Sequence, residues 1–190
     1  MMLATDNPHP PASAATPVLA ANAYRDALRH FPSGVTIVTI RAGREVHGLT
    51  VSAFTSVSAE PPMILVVVNT ANRAHAMLER PDAAFAVNIL GDHQQELSNR
   101  FARPGTGDRF ASGCWGEAAT GAPVLQDALA WLDCEVVSRT PAGSHTVYLG
   151  RVRAIGVPRA DGSPLIYWNR GYRQLPAATP PLAPPAALRS

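Results

Sequence analysis

The residues best equipped for chemistry are concentrated in a few short runs. Between Val46 and Asn69 the chain reads VHGLTVSAFTSVSAEPPMILVVVN, with small hydroxyls at Thr50, Ser52, Thr55, Ser56 and Ser58 ahead of an almost unbroken apolar stretch. Such a cluster either turns the chain, its hydroxyls bonded to nearby backbone, or lines a site. Asn88 interrupts the apolar run FAVNIL, and a buried amide has to find partners for its donors and acceptors. His145 follows Gly143 and Ser144 at the head of a strand-like run, where residue type alone makes a lone histidine more often structural. His30, His47, His75 and His93 stand at no metal-ligand spacing, and Cys114 and Cys134 form no CxxC pair. Cys134, in WLDCEVV, reads as a small buried thiol.

These groups need elements to position them. NAYRDALRHF (22–31) has helical periodicity and stops at Pro32 and Gly34. The β-branched run from Val35 to Ile40, a Gly-containing turn at 41–44 and a strand beginning near Val46 predict a hairpin. PMILVVVN (62–69) is apolar on both faces and reads as a central strand. Helices are expected over 72–81 and 94–102, with Asp92 as an N-cap, a strand over 83–90 and a loop over 103–113. Strands follow over 128–140, 143–157 and 164–175. Six or seven strands with two or three short helices predict a mainly β protein, a closed antiparallel barrel with helices at its rim. No GxGxxG joins a strand to a helix and no P-loop is present, which argues against a Rossmann fold.

Composition narrows the function classes. The chain has 190 residues, a formal net charge of +2 and sixteen basic residues, all of them Arg. Without Lys there is no Schiff-base chemistry, and without a basic run there is little to attract nucleic acid or an anionic membrane. Arg remains suited to bidentate grip on phosphate or carboxylate. No apolar run is long enough to span a membrane, and the N-terminus lacks the pattern of a signal peptide. A cytoplasmic protein is expected. Residues 1–20 and 176–190 are rich in Pro and Ala and read as flexible tails around a domain at 21–175.

In order along the chain, FPSGVTIVT, GLTVSAFTSVSAEPPMILV, FAVNIL, LSNRFA, DRF, GAPVLQDALAWLDCEVV, GSHTVYLGRV and PLIYWNRGYRQL resemble the short-chain flavin reductase family. These proteins are reductase components of two-component flavin monooxygenases. The resemblance spans residues 24 to 175 and implies an FMN-binding split β-barrel, usually a homodimer, with Greek-key-like connections. It implies NADH or NADPH as reductant and a diffusible FMN or FAD as acceptor. A flavin-dependent monooxygenase is the implied partner that receives the reduced flavin.

The resemblance also implies roles residue by residue. The segment matching LTVSAFTSVS lies along the flavin, which assigns contact to Thr50, Ser52, Ala53, Thr55 and Ser56. Strand alternation sends Thr50, Ser52 and Phe54 to one face, so the five cannot all point at one ligand. Ser33, Val35 and Thr36 match positions where backbone approaches the flavin, Asn88 its polar edge, and Ser98 and Phe101 the phosphate and ring side. Tyr172, with Tyr167 and Trp168, either stacks on a cofactor ring or covers the barrel end. His145 is implied in nicotinamide handling. The family pattern there is Gly-Asp-His, and Ser144 replaces the carboxylate; its hydroxyl can orient the ring but adds no charge. Two other readings stay open at this point: a flavin carrier without NAD(P)H turnover, and an FMN-dependent reductase of another acceptor.

Overall fold

The computed structural model describes residues 20–103, 105 and 107–175, so the expected tails at 1–20 and 176–190 lie outside it but for Ala20. Helix α1 (Ala21–Leu28) leads through strand β1 (Ser33–Gly34) into the hairpin of β2 (Thr36–Ala42) and β3 (Glu45–Val51). Gly43, at φ +58°, supplies the left-handed turn between them. A second hairpin joins β4 (Phe54–Ala59) to β5 (Pro62–Asn69). Helix α2 (Arg73–Leu78), capped by Asn72 Oδ1 accepting from Ala74 N–H at 2.9 Å, precedes β6 (Ala83–Ile89). Helix α3 (Gln95–Ala102) is entered through a 3-10 turn at Asp92–Gln94. Then come β7 (Trp115–Glu117), β8 (Pro123–Leu125), and the long strands β9 (Ala130–Ala142) and β10 (His145–Gly156). The short pair β11 (Ile166–Trp168) and β12 (Gly171–Arg173) follows.

Seven strands form one antiparallel sheet in the order β3-β2-β6-β9-β10-β5-β4. Its two end strands, β3 and β4, are joined directly through Ser52 and Ala53 but are not paired with each other. Leu49 and Val51 of β3 nevertheless share one core with Val66 of β5, Phe85 of β6 and Tyr148 of β10, and Phe54 of β4 packs against it. The sheet has therefore curled until its ends meet over that core while leaving a seam, a split barrel. Each fully buried aliphatic or aromatic side chain contributes about 1.5–3 kcal/mol. A second cluster, around Ile37, Leu90, Phe101 and Leu125, fills the space between the sheet's outer face and α3.

Several expectations change. Phe54–Ala59 is a strand in its own right, not the run-up to one, and β5 lies one place from the sheet edge. The alternation expected from Thr50 to Phe54 does not carry through, because the ladder breaks at Ser52–Ala53 and Phe54 turns inward. The run 164–175 is a hairpin, with Asn169 (φ 47°) and Arg170 (φ 62°) both left-handed at its turn. Strands β7 and β8 were not expected. Asp92 does not cap the helix: Gln94 holds the cap position of α3, and Gly91 that of the 3-10 turn, where its N–H donates to Gln94 Oε1 at 2.9 Å. Cys134 is buried, and burial, aided by the Asp133 charge, pushes its thiol up to about 12.

Candidate active site

Where α1 ends and the seam begins, Phe31, Pro32, Ser33, Gly34, Thr36, Ser52, Phe54 and Ile89 line a cleft of about 300 Å³. The lining comes from four places, one of them the end of β6 at Ile89. Residues 31–34 arrive on β1, which pairs with β11 (Ser33 with Tyr167, Gly34 with Ile166). Thr36 opens β2, and its hydroxyl donates to the Val51 carbonyl at 2.7 Å, closing the end of the β2–β3 hairpin. Ser52 stands at the corner between β3 and β4, exposed, followed by the exposed Ala53, Thr55 and Ser56. The corner is held by Val67 N–H donating to the Ala53 carbonyl at 3.1 Å. A small-residue wall with an aromatic lip at Phe31 and Phe54 gives room for a flat ring, with hydroxyls at its margin.

Three of the residues singled out from the sequence, Ser33, Thr36 and Ser52, thus line one cleft. Val35 is beside them, but its side chain is buried. Its backbone is spent, the N–H on the Leu165 carbonyl and the carbonyl on Leu90 N–H, each at 3.0 Å. Thr55 turns its hydroxyl to the neighbouring Ser56 carbonyl at 3.3 Å.

A second group is joined internally. Thr50 Oγ1 donates to the Ser98 carbonyl at 2.6 Å, and Ser98 Oγ lies 2.8 Å from the Tyr172 hydroxyl. The Tyr172 hydroxyl in turn donates to Asn99 Oδ1 at 3.1 Å. This chain of bonds ties β3, α3 and β12 together. Ser98 is wholly buried, and its hydroxyl serves the bracket.

Asn88 and Phe101 take positions in the core. Asn88 is 0 % exposed and donates to the Ile37 carbonyl at 3.0 Å and to Thr39 Oγ1 at 3.3 Å. Its Oδ1 accepts from Leu125 N–H at 2.7 Å, so the amide ties β2 and β6 to β8. Phe101 is 1 % exposed and packs edge-on to Phe110, with ring centroids 5.3 Å apart, and tilted to Trp115 at 5.4 Å. A Cβ on Gly48 would fall 2.5 Å from the Phe101 ring, so glycine is what lets that ring close on β3.

His145 is half-buried, with Nδ1 3.0 Å from the Ser144 hydroxyl. It pairs with Asn69, two register positions from the Val147–Val67 pair that carries the Ala53 contact. It therefore belongs to the same end of the sheet as the Ser52 corner, about 7 Å along the strands, without lining the cleft. Trp168 serves the fold, its indole N–H donating to the His30 carbonyl at 3.2 Å.

The sequence reading missed the apolar part of the cleft, Phe31, Pro32, Gly34, Phe54 and Ile89. The signal was present in FPSG, where an aromatic residue and a Pro stand at the end of a helix with nothing to bury them. A larger cleft of about 690 Å³ along the other end of β3, by His47, Arg73 and Arg109, was also unforeseen. Its groups are far apart in sequence and meet only in the fold.

The profile of the flavin reductase like domain matches residues 28–176. The FMN reductase (NADH) RutF of Methylorubrum extorquens is 39 % identical over 184 residues, covering 94 % of this chain and 88 % of the relative. Among solved structures, the styrene monooxygenase flavin reductase of Pseudomonas putida superposes with a TM-score of 0.72 at 32 % identity, covering 82 % of this chain and 98 % of that one. The nitrilotriacetate monooxygenase component B from Mycobacterium thermoresistibile gives 0.78 at 29 %, covering 87 % and 93 %. With the split barrel and the seam cleft in place, the match over most of its length makes this chain a member of the flavin reductase like domain family.

Proposed function

We propose that the chain is an NADH-dependent flavin reductase that passes reduced FMN or FAD to a separate monooxygenase. The single observation that carries the site is the seam cleft, which gathers Ser33, Thr36 and Ser52 with the apolar Phe31, Pro32, Phe54 and Ile89. The residues fit a flavin ring: small hydroxyls at the margin, an aromatic lip, and a strand corner whose Ser52 and Ala53 are exposed. Flavin supplies the two-electron chemistry when bound, accepting hydride from the nicotinamide. What the chain contributes is position. Ser33 and Ser52 orient the polar edge, Phe31 and Phe54 flank the ring, and Thr36 keeps the corner rigid through Val51. His145 is the candidate for orienting the nicotinamide, its ring held by the Ser144 hydroxyl. Asn88, Phe101, Ser98, Thr50 and Tyr172 support these elements from behind. The reductase domain is taken as residues 21–175 of a cytoplasmic protein.

A homodimer is part of this reading. Helix α1 buries no residue, and Tyr24, Leu28 and Phe31 are 55, 51 and 72 % exposed. No helix among the described residues is long and apolar enough to cross a membrane. A second copy laid on α1 would cover this apolar face beside the cleft mouth. Light scattering after gel filtration tests it, with a monomer mass as the refuting result.

NADH oxidation at 340 nm under air, with added FMN, FAD or riboflavin, tests the activity. Saturable oxidation that depends on free flavin is expected. Flavin binding without oxidation would replace the reductase with a carrier, a reading that the Ser144 departure favours.

A further inference from the structure

Phe31 lines the seam cleft although 72 % of it is exposed, so packing alone does not fix its ring. The helix before it gives no anchor either, since α1 buries no residue. What holds Phe31 is the β11–β12 hairpin, which grips the chain on both sides of it. On the near side, Asn169 N–H donates to the Arg29 carbonyl at 3.0 Å and the Trp168 indole N–H to the His30 carbonyl at 3.2 Å. On the far side, Ser33 and Gly34 pair with Tyr167 and Ile166. Phe31 and Pro32 form the short bridge between these grips, and a residue before proline has few backbone conformations left to it.

The turn of that hairpin is strained. Trp168 and Gly171 pair across a two-residue loop, and both loop residues are left-handed, Asn169 at φ 47° and Arg170 at φ 62°. Such loops favour Asn-Gly, but in WNRGY the glycine comes one residue late and an arginine takes the second position. An arginine kept in that conformation points to a use for its side chain. Arg170 reaches back to α1 and donates to Asp26 Oδ1 at 2.8 Å, while Asp26 also faces Arg29 at 3.4 Å. The turn therefore holds the end of α1 by three bonds, two to backbone carbonyls and one to a carboxylate. The hairpin is itself fixed to the body, through the Tyr172 hydroxyl against Ser98 and Asn99 of α3.

We propose that the Trp168–Arg170 turn is a strap that positions Phe31 against the flavin, with Arg170 a positioning residue for flavin binding. The inference rests on the flavin site proposed above and deepens it. A ring already in place loses little freedom when a flavin stacks on it, and this is how the strap raises affinity without touching the ligand.

The experiment measures the Kd for FMN by quenching of flavin fluorescence, without NADH, in wild type and variants. Arg170→Gly suits the turn, because glycine adopts a positive φ freely, and it removes the pair to Asp26. Its Tm is expected to hold while Kd rises about threefold, and Arg170→Lys, which keeps the charge, should recover part of that loss. Phe31→Ala should raise Kd about fivefold or more. Adding Arg170→Gly to Phe31→Ala should change nothing further, because the strap acts through that ring. An unchanged Kd for Arg170→Gly would mean that something else holds Phe31, a second copy on α1 foremost, and overturns the proposal. A further threefold rise in the Phe31→Ala background overturns it as well. Trp168→Phe, which loses the indole donor but keeps a ring, is the second variant, with the same pattern expected. No quenching by wild type overturns the flavin site and the strap together. Binding of FMN without NADH oxidation removes the reductase reading and leaves the strap standing.

Discussion

Replacing Asn88 with Ala separates a structural amide from a flavin contact. Within the fold Asn88 makes three hydrogen bonds, and its partners differ in what they can recover. Thr39 Oγ1 retains the Ala86 carbonyl at 3.3 Å and the Pro123 carbonyl, and the Ile37 carbonyl keeps its strand neighbours. Leu125 N–H has no such alternative, and Leu125 is 0 % exposed. A buried donor without an acceptor costs about 1–3 kcal/mol. The space left by the carboxamide adds on the order of 1 kcal/mol. Together they predict a loss of about 3 kcal/mol, and a fall in Tm of about 6–12 °C for a domain of this size. Thermal melting measures the first quantity, and the KM for FMN at a temperature where the variant is folded measures the second. A large Tm loss with an unchanged KM is expected. A Tm within about 2 °C of wild type, with a severalfold rise in KM for FMN, would show that the amide serves the ligand and refute the argument.

Other outcomes follow from the same geometry. Phe101→Ala removes the ring at the centre of the second core and should cost about 3–5 kcal/mol in a denaturant melt; a loss below about 1 kcal/mol would contradict the packing assigned to it. Gly48→Ala puts a methyl against that ring and should cost about 1–3 kcal/mol in the same assay. Cys134, raised to about 12, presents on the order of one thiolate in ten thousand at pH 8. A thiol reagent at that pH should therefore titrate the exposed Cys114 alone in the native protein and both after denaturation. Two rapid thiols in the native state would rule out the burial.

Much of the fold was legible because its strongest signals are local. The β2–β3 turn declares itself through Gly43, and β5 and β6 through runs of apolar residues with β-branched side chains. The strand at Phe54–Ala59 was hidden because its exposed hydroxyls carry no inward alternation, and pairing with β5 alone makes it a strand. The hairpin at 164–175 was hidden because Asn169 and Arg170 turn left-handed without a glycine at either position. At the site, Ser33 and Thr36 of FPSGVT and Ser52 of LTVSAFTSVS line one cleft, while Thr50 and Thr55 bond to backbone outside it. Asn88 and Phe101 stand inside two of the matching motifs and also meet scaffold groups, the Ile37 carbonyl and Leu125 N–H for the amide and the second core for the ring. A polar or aromatic residue inside a family motif can recur there because the scaffold needs it, and only its partners tell which.

His145 and Ser52 allow a sharper division of labour. The two lie at one end of the sheet, His145 on β10 and Ser52 at the β3–β4 corner, and only Ser52 lines the seam cleft. If Ser52 holds the flavin edge, Ser52→Val should raise KM for FMN about three- to tenfold and leave kcat/KM for NADH at saturating flavin nearly unchanged. If His145 orients the nicotinamide, His145→Ala should lower kcat/KM for NADH at least tenfold with KM for FMN little altered. Groups acting on different ligands without sharing a partner contribute additively, so the double variant should show the product of the two effects within about twofold. A double variant no worse than His145→Ala would mean that both residues act through one contact, and the two-ligand arrangement would have to be abandoned.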